Sequence, residues 1–353
     1  MRTDLFDYSL PEERIATRPP AERDGGRMCI VEEGGVRHEW VRDFPEQLAA
    51  GDLVVLNETR VRQARLFCTR PLREFSGVPG GAGGARVEIL FLHPVGENRW
   101  AALGRANKPL RPGDELHAGE LTLRIVERGP DGTLVVATSG DIEPVLLAHG
   151  QMPIPPYMQR TADEDDVTRY QTVFARELGS AAAPTAGLHV TEESLTRLQA
   201  RGVRVGRLTL HVGIGTFRPV SVEDLDAHPM HEETFAVSDE LRDAIASTHA
   251  SGGRVVAVGT TAVRALESAA VGAERGQVRV CRESTRLLIQ PGFEFRVVDA
   301  LLTNFHQPKS TLLALVSALV GRERLLAAYG EALERDYRFL SYGDAMWIPR
   351  KLI

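Results

Sequence analysis

The sequence predicts an α/β protein of discontinuous architecture. An α/β domain with an open, barrel-like sheet is interrupted by a small antiparallel β-barrel. Three observations predict this. Short β-rich runs crowd residues 86–137. Beyond residue 170, strand-like and helix-like segments alternate. Strand-like pieces at Met28–Val31 and Leu53–Leu56 precede the β-rich stretch, so both ends of the chain are read as one domain. At 353 residues the chain exceeds one average domain, and two are expected. Residues 1–62 and 153–353 are assigned to the α/β domain and 63–152 to the inserted barrel.

The elements follow in order. Arg86–Val95, Arg99–Gly104 and Leu121–Glu127 are short runs rich in strand formers. Asp131-Gly132 joins the last of these to Thr133–Ala137 as a hairpin turn. The Gly- and Pro-rich run Ser76–Gly84 offers little to bury and is read as a flexible loop. Glu143–His149 is a short helix. Met152-Pro-Ile-Pro-Pro156 must be extended, because each proline fixes φ and disfavours helix before it, and it marks the crossing between domains. Thr191, with Glu192 and Glu193, opens a helix that Gly202 ends. Val203–Val212 is a strand, and Ser238 caps a helix reaching about Ser251 with Leu241 and Ile245 on one face. Val255–Val258 is a buried strand followed by a helix over Ala262–Ala270. Ser310 caps the apolar helix Thr311–Val320, and Arg322–Arg335 is the last helix.

Composition narrows the function. With 43% apolar and 25% charged residues, the chain is globular rather than disordered or fibrous. A net charge of −6 excludes a uniformly basic coat for nucleic acid. The charge is uneven, however. Asn57–Arg73 carries five arginines against Glu58, Arg197–Arg218 carries five arginines and no acid, and Ser221–Asp243 carries eight acids against Arg242. The two basic stretches are candidates for guiding a polyanion. Only Lys108, Lys309 and Lys351 are lysines, a bias read as codon preference unless position says otherwise. The N-terminus has no signal-like apolar core, and Thr311–Val320 falls short of the roughly 20 residues of a membrane span. Cys29, Cys68 and Cys281 are odd in number and far apart, which suits reduced thiols. A cytoplasmic protein without a membrane partner is expected.

Four polar segments go beyond structural need. Ala182–His189 offers small residues with Thr185 and His189, and reads either as a site or as a tight loop. Leu210–Phe217 places His211 at a strand end, followed by Gly213-Ile-Gly215 and Phe217. The missing third glycine excludes a dinucleotide fingerprint but leaves a loop that lets a ligand approach backbone. Gly259-Thr260-Thr261 opens a helix whose free N–H groups suit a carboxylate or phosphate, with Arg264 one turn on; the alternative is an ordinary Thr cap. Asn304 and His306 follow a strand's carboxyl end, where ligands gather in open α/β folds. No metal is expected at His228-Pro-Met-His231-Glu-Glu, which lacks a third regularly spaced ligand. Asp163–Asp166 is read as a solvated loop. No G-x-S-x-G or P-loop occurs, which excludes those hydrolase classes.

The ordered set of motifs is far more specific than its members. It comprises Asp7–Ala16, Gly51–Asn57 with Thr59–Val61, Gly150–Tyr157, Arg169–Phe174, Ala182–His189 and Leu210–Phe217, then His228–Glu232, Val258–Glu267, Val298–His306 and Phe339–Met346. From end to end this resembles the S-adenosylmethionine:tRNA ribosyltransferase-isomerase family of queuosine synthesis. The resemblance implies an α/β domain with an inserted β-barrel. It also implies the reaction: the ribosyl part of S-adenosylmethionine moves to the aminomethyl group of a 7-deazaguanine at the tRNA wobble position. Epoxyqueuosine forms, and adenine and methionine leave. The partners would be S-adenosylmethionine and tRNA, the protein a monomer, and no cofactor is needed because S-adenosylmethionine is consumed. Departures from the family pattern are local: Asn57-Glu58-Thr59, Val190, Gln290 and the extra length at Ser76–Gly84.

On that reading His189, His211 and His306 include the acid/base group, since imidazole can remove a proton beside a sulfonium and protonate departing adenine. Asn304 would orient substrate. Thr260, Thr261 and Arg264 would hold the methionine carboxylate or a phosphate, and Phe217 or Phe305 would face the sulfonium. Thr185, Gly213, Gly215 and Arg60 complete the binding set. Two rivals are an RNA methyltransferase, which would release S-adenosylhomocysteine, and a non-enzymatic RNA-binding module. Adenine release separates all three.

Overall fold

A computed structural model of the chain describes residues 1–71, 84–129, 132–213 and 220–353. The N-terminal segment supplies β1 (Arg27–Glu32), β2 (Gly35–Trp40), β3 (Leu53–Asn57) and β4 (Thr59–Val61). Six strands follow: β5 (Arg65–Arg70), β6 (Ala85–Gly96), β7 (Arg99–Arg105), β8 (Glu115–Ala118), β9 (Leu121–Arg128) and β10 (Thr133–Thr138). The chain continues with α1 (Glu143–His149), α2 (Glu164–Arg169), β11 (Glu177–Ser180), α3 (Glu192–Ala200), β12 (Arg204–Leu210) and β13 (Glu233–Val237). Last come α4 (Asp239–Ala250), β14 (Val255–Val258), α5 (Thr260–Ala269), β15 (Cys281–Thr285), β16 (Ala300–Asn304), α6 (Thr311–Val320), α7 (Arg322–Glu334) and β17 (Ala345–Ile348).

Nine strands form one open, mixed sheet in the order β15-β13-β12-β3-β14-β16-β17-β1-β2. At its centre β12, β3, β14 and β16 run parallel. Strands covered on both faces need apolar side chains at every position, which is why Leu53–Leu56 and Val255–Val258 are unbroken apolar runs. Alternate residues serve opposite faces. Leu53, Val55, Val255, Ala257 and Leu301 join one core with the apolar side of α5 and α6. Val54, Leu56, Val256, Val258, Leu302 and Trp347 join the other, with Leu195 and Leu198 of α3. The helix starts carry the expected caps: Thr191 Oγ1 accepts from Ser194 N (3.0 Å), Ser238 Oγ from Leu241 N (3.3 Å) and Ser310 Oγ from Leu313 N (3.2 Å).

The strands β5–β10 close into an antiparallel barrel, in the order β10-β7-β6-β5-β8-β9. Its interior is filled by inward alternation, with Leu66, Cys68, Val87, Ile89, Phe91, Leu123, Ile125, Leu134 and Val136 in one core. Chain entry and exit lie side by side: Arg65 N donates to Gln151 O (3.2 Å) and Gln151 N to Arg65 O (2.8 Å). Gly132, with φ +84°, leads into β10; its turn partner Asp131, the Ser76–Gly83 stretch, Gly215 and Phe217 lie outside the described residues.

Two expectations are corrected. The helix expected from Ala262 begins at Thr260, because Gly259 takes the N-cap position at φ +90°. Asp163–Asp166 is no solvated loop. It starts α2, and Asp166 is fully buried, gripped by both guanidinium arms of Arg160 (2.6 and 2.8 Å) and by the Tyr342 hydroxyl (2.8 Å). Burial alone would raise its pKa, but these donors bring it down to about 2.

Candidate functional site

Because β3, β12, β14 and β16 are parallel, their carboxyl ends emerge together. A cleft of about 640 Å³ opens there. Asn57, at the end of β3, organises one wall. Its Nδ2 donates to Leu210 O (3.0 Å) and Thr261 Oγ1 (3.2 Å), and its Oδ1 accepts from Leu210 N (2.9 Å) and Thr59 N (3.2 Å). This buried amide ties β3, β12 and the start of α5 into one unit. Gly259 turns the chain from β14 into α5 in the left-handed region, and a Cβ there would lie 3.4 Å from Ala186. Thr260 and Thr261 thereby enter the cleft wall on the first turn of α5.

The opposite wall comes from the end of β16. Asn304 accepts from Thr185 Oγ1 (3.0 Å) and donates to Leu340 O (3.2 Å) and to His189 Nε2 (3.1 Å). The last contact requires the proton of a neutral His189 ring to sit on Nδ1. His306 faces the cleft, with Nε2 beside Thr303 Oγ1 (2.9 Å) and its backbone N donating to the Tyr329 hydroxyl (2.9 Å). Burial pushes His189 down to about 4 and His306 to about 3, so both rings are neutral at pH 7.

Six of the anticipated residues line this cleft: Thr185, Thr260, Thr261, Asn304, Phe305 and His306. The others do not share it. His189 stands behind Asn304 and borders a smaller cavity of about 240 Å³ with Arg23 and Arg169. His211 sits against Thr59, Nδ1 to Oγ1 at 2.8 Å, and its pKa is lowered by burial and by Arg62. A Cβ on Gly179 would fall 2.6 Å from its ring, so that glycine makes its room. The three histidines are therefore not one cluster. Arg60 is exposed on β4, and Gly213 N donates to Glu233 Oε1 (3.0 Å). Arg264 is not at the helix start's cleft. It is buried against Glu233 and lines a separate cavity. Phe305, though it borders the cleft, packs its ring at 4.6–5.6 Å from Tyr329, Tyr337 and Phe339 in an aromatic core.

Residues the sequence did not single out complete the cleft: Thr303, Gln307, and the hydroxyl pair Tyr157 and Ser341 (2.5 Å). Both members of that pair lie in quoted motifs, Gly150–Tyr157 and Phe339–Met346. The motifs marked the segments, but not which side chains face inward.

The basic stretches are also largely spoken for. Arg62 pairs with Glu143 (2.8 Å), Arg65 with Glu88 (3.1 Å), Arg70 with Asp114 (2.6 Å) and Arg197 with Glu46 (2.6 Å). Arg201 donates to Leu48 O (3.2 Å) and Arg204 to Ser247 Oγ (2.7 Å). These forks fasten the protein to itself, while Arg60 is exposed and Arg73 and Arg218 lie outside the described residues. Among the described residues no group of three or more His, Cys, Asp or Glu side chains could hold a metal, and no helix is long and apolar enough to cross a membrane.

Comparison with known proteins bears on this arrangement. The model of the queuosine biosynthesis protein family matches residues 3–348. The S-adenosylmethionine:tRNA ribosyltransferase-isomerase of Sorangium cellulosum (strain So ce56) is 48% identical over 378 residues, covering 99% of this chain and 98% of its own. That of Symbiobacterium thermophilum is 48% identical over 354 residues, covering 99% and 100%. The crystal structure of S-adenosylmethionine tRNA ribosyltransferase from Thermotoga maritima aligns with a TM-score of 0.53 at 33% identity, covering 98% of this chain and 99% of that one. The chain belongs to the queuosine biosynthesis protein family, with S-adenosylmethionine:tRNA ribosyltransferase-isomerases as its relatives along the whole length.

Proposed function

We propose that the chain transfers and isomerises the ribosyl part of S-adenosylmethionine onto 7-aminomethyl-7-deazaguanine at the tRNA wobble position. Epoxyqueuosine-tRNA forms, with release of adenine and methionine. The protein works as a cytoplasmic monomer and uses no cofactor, since S-adenosylmethionine is spent. The observation that carries this reading is end-to-end agreement with ribosyltransferase-isomerases, joined to a cleft at the carboxyl ends of the parallel strands.

The cleft suggests how its residues divide the work. Of the three anticipated histidines, His306 alone lines it, so His306 is the proton carrier. As a neutral ring it starts as an acceptor and takes a proton from the carbon beside the sulfonium. The imidazolium so formed, in a buried site that disfavours its charge, is a strong acid and passes the proton to adenine as the C–N bond breaks. Thr303 fixes the ring through Nε2 and leaves Nδ1 for substrate. Thr260 and Thr261 offer hydroxyls and first-turn N–H groups to ribose or to the incoming base. Asn304, His189 and Thr185 form a hydrogen-bonded brace that positions the wall.

The test is direct. Incubation with S-adenosylmethionine and tRNA bearing the aminomethyl deazaguanine should release adenine and raise the tRNA mass by the transferred group. Methyl transfer with S-adenosylhomocysteine as product, or binding without turnover, would overturn the reading.

A further inference from the structure

Beside the main cleft lies a second cavity of about 440 Å³. Three elements run from one cavity into the other. The helix α5 places Thr260 and Thr261 in the first and Arg264, one turn on, in the second. Leu312 of α6 lines both, so it is their shared wall. Val212 borders the first, and the next residue, Gly213, donates its N–H to Glu233 of the second.

The second cavity has an unusual polar content for its walls. Arg264 is 7% exposed, and Glu233 3%. Arg264 Nη1 donates to Glu233 Oε2, and its Nε to Leu287 O (3.2 Å). Its Nη2 is buried with no hydrogen-bond partner. An unsatisfied donor on a buried cation is costly, and a ligand oxygen would relieve that cost. Around this ion pair six apolar side chains, Met230, Leu287, Leu288, Ile289, Leu312 and Leu315, share the lining with His228, His231 and Thr311. The Arg264–Glu233 pair is formally neutral. A lone anion such as phosphate would leave an excess buried charge there, at a steep desolvation cost. A zwitterion adds none. Its carboxylate suits the guanidinium, its ammonium suits the carboxylate side, and an apolar chain suits the walls.

We propose that this cavity is an α-amino-acid subsite. It takes the methionyl end of S-adenosylmethionine while the nucleoside occupies the main cleft, with Leu312 at the junction. After the reaction the same subsite holds free methionine. The assignment rests on the function proposed above, and it moves Arg264 from the Thr260–Thr261 helix start to a site of its own.

The experiment pairs binding with turnover on the full chain. Calorimetry with L-methionine, with 3-(methylthio)propylamine and with inorganic phosphate asks what the cavity recognises. L-Methionine should bind, and loss of its carboxylate should weaken binding by about tenfold or more, the range of one charge-assisted hydrogen bond. In adenine release, decarboxylated S-adenosylmethionine should show a similarly raised KM. Arg264→Gln should erase that discrimination. Because Arg264→Gln breaks a buried pair and can unfold the chain, Met230→Trp serves as the second variant. It fills the cavity without touching the pair and should abolish L-methionine binding while raising the KM for S-adenosylmethionine. Equal binding of the amine and the amino acid, phosphate binding without L-methionine binding, or a folded Met230→Trp protein with unchanged L-methionine affinity would each overturn the proposal. If no adenine is released under any condition, the proposed function fails, and the calorimetry still decides the subsite.

Discussion

The nine-stranded sheet and the six-stranded barrel solve the same packing problem in opposite ways. The barrel closes on itself, and its inward side chains fill the interior. The sheet stays open, buries both faces under helices and loops, and lets four parallel strands end together. Every residue lining the three cavities described above lies outside residues 65–138. The difference teaches where chemistry can reside. A closed small barrel spends its interior on packing, whereas an open parallel sheet leaves polar side chains at its carboxyl edge with space in front of them.

The largest effect that would sharpen this contrast is on turnover. His306→Ala should slow adenine release by about a hundredfold or more, the range of one general acid–base group. Arg99→Ala, on an exposed barrel strand end, should leave the rate unaltered. Steady-state kinetics on both variants checks this, and equal losses would erase the distinction. Next in size, Ile125→Ala in the barrel core should cost about 2–5 kcal/mol of barrel stability by leaving a cavity. Denaturant unfolding should register that loss, while the rate per folded molecule holds. A rate that fell in step with barrel stability would mean that the barrel takes part in the site.

A third contrast is the dependence of stability on pH, and it should belong to the sheet. His189 and His306 titrate at about 4 and about 3 in the folded protein, below the ordinary 6.5, because burial disfavours their charge. The unfolded chain therefore binds more protons, so their contribution is complete above pH 6.5 and is lost as pH falls toward 4 and then 3. Asp166, held at about 2 against an ordinary 3.8, adds a further loss below pH 4. Thermal melts from pH 7 to pH 4 should show falling stability, and His306→Ala should flatten the slope. An unchanged slope in that variant would place the titration elsewhere.

Much of the fold was legible because burial writes simple patterns. Strands covered on both faces must be continuously apolar, so β3 and β14 stand out as Leu53–Leu56 and Val255–Val258. The caps at Thr191, Ser238 and Ser310 are local chemistry, readable within four residues. One rim of the sheet was not legible. β15 is the polar, largely exposed edge, and its inner neighbour β13 has only Phe235 and Val237 as buried apolar residues, inside the acidic stretch.

The site divides along the same line. Asn304 and His306 come at a strand's carboxyl end and Thr260 and Thr261 at a helix start, and those positions suggested a ligand edge. What lies opposite a side chain is set by distant sequence. Glu233, which occupies Arg264, is 31 positions away, and Tyr342, which helps bury Asp166, is 176 away. Likewise nothing in their spacing tells that His189 stands behind Asn304 while His306 stands in front.

The hydrogen-bonded neighbours Arg65 and Gln151 give the barrel a single doorway. A module hung on two adjacent threads sets no distance between the strands it interrupts, so a short turn joining Ala64 to Met152 should leave the sheet able to assemble. The barrel is in that sense a cartridge. Its size and surface are free to change by replacement, without renegotiating the architecture that carries the cleft.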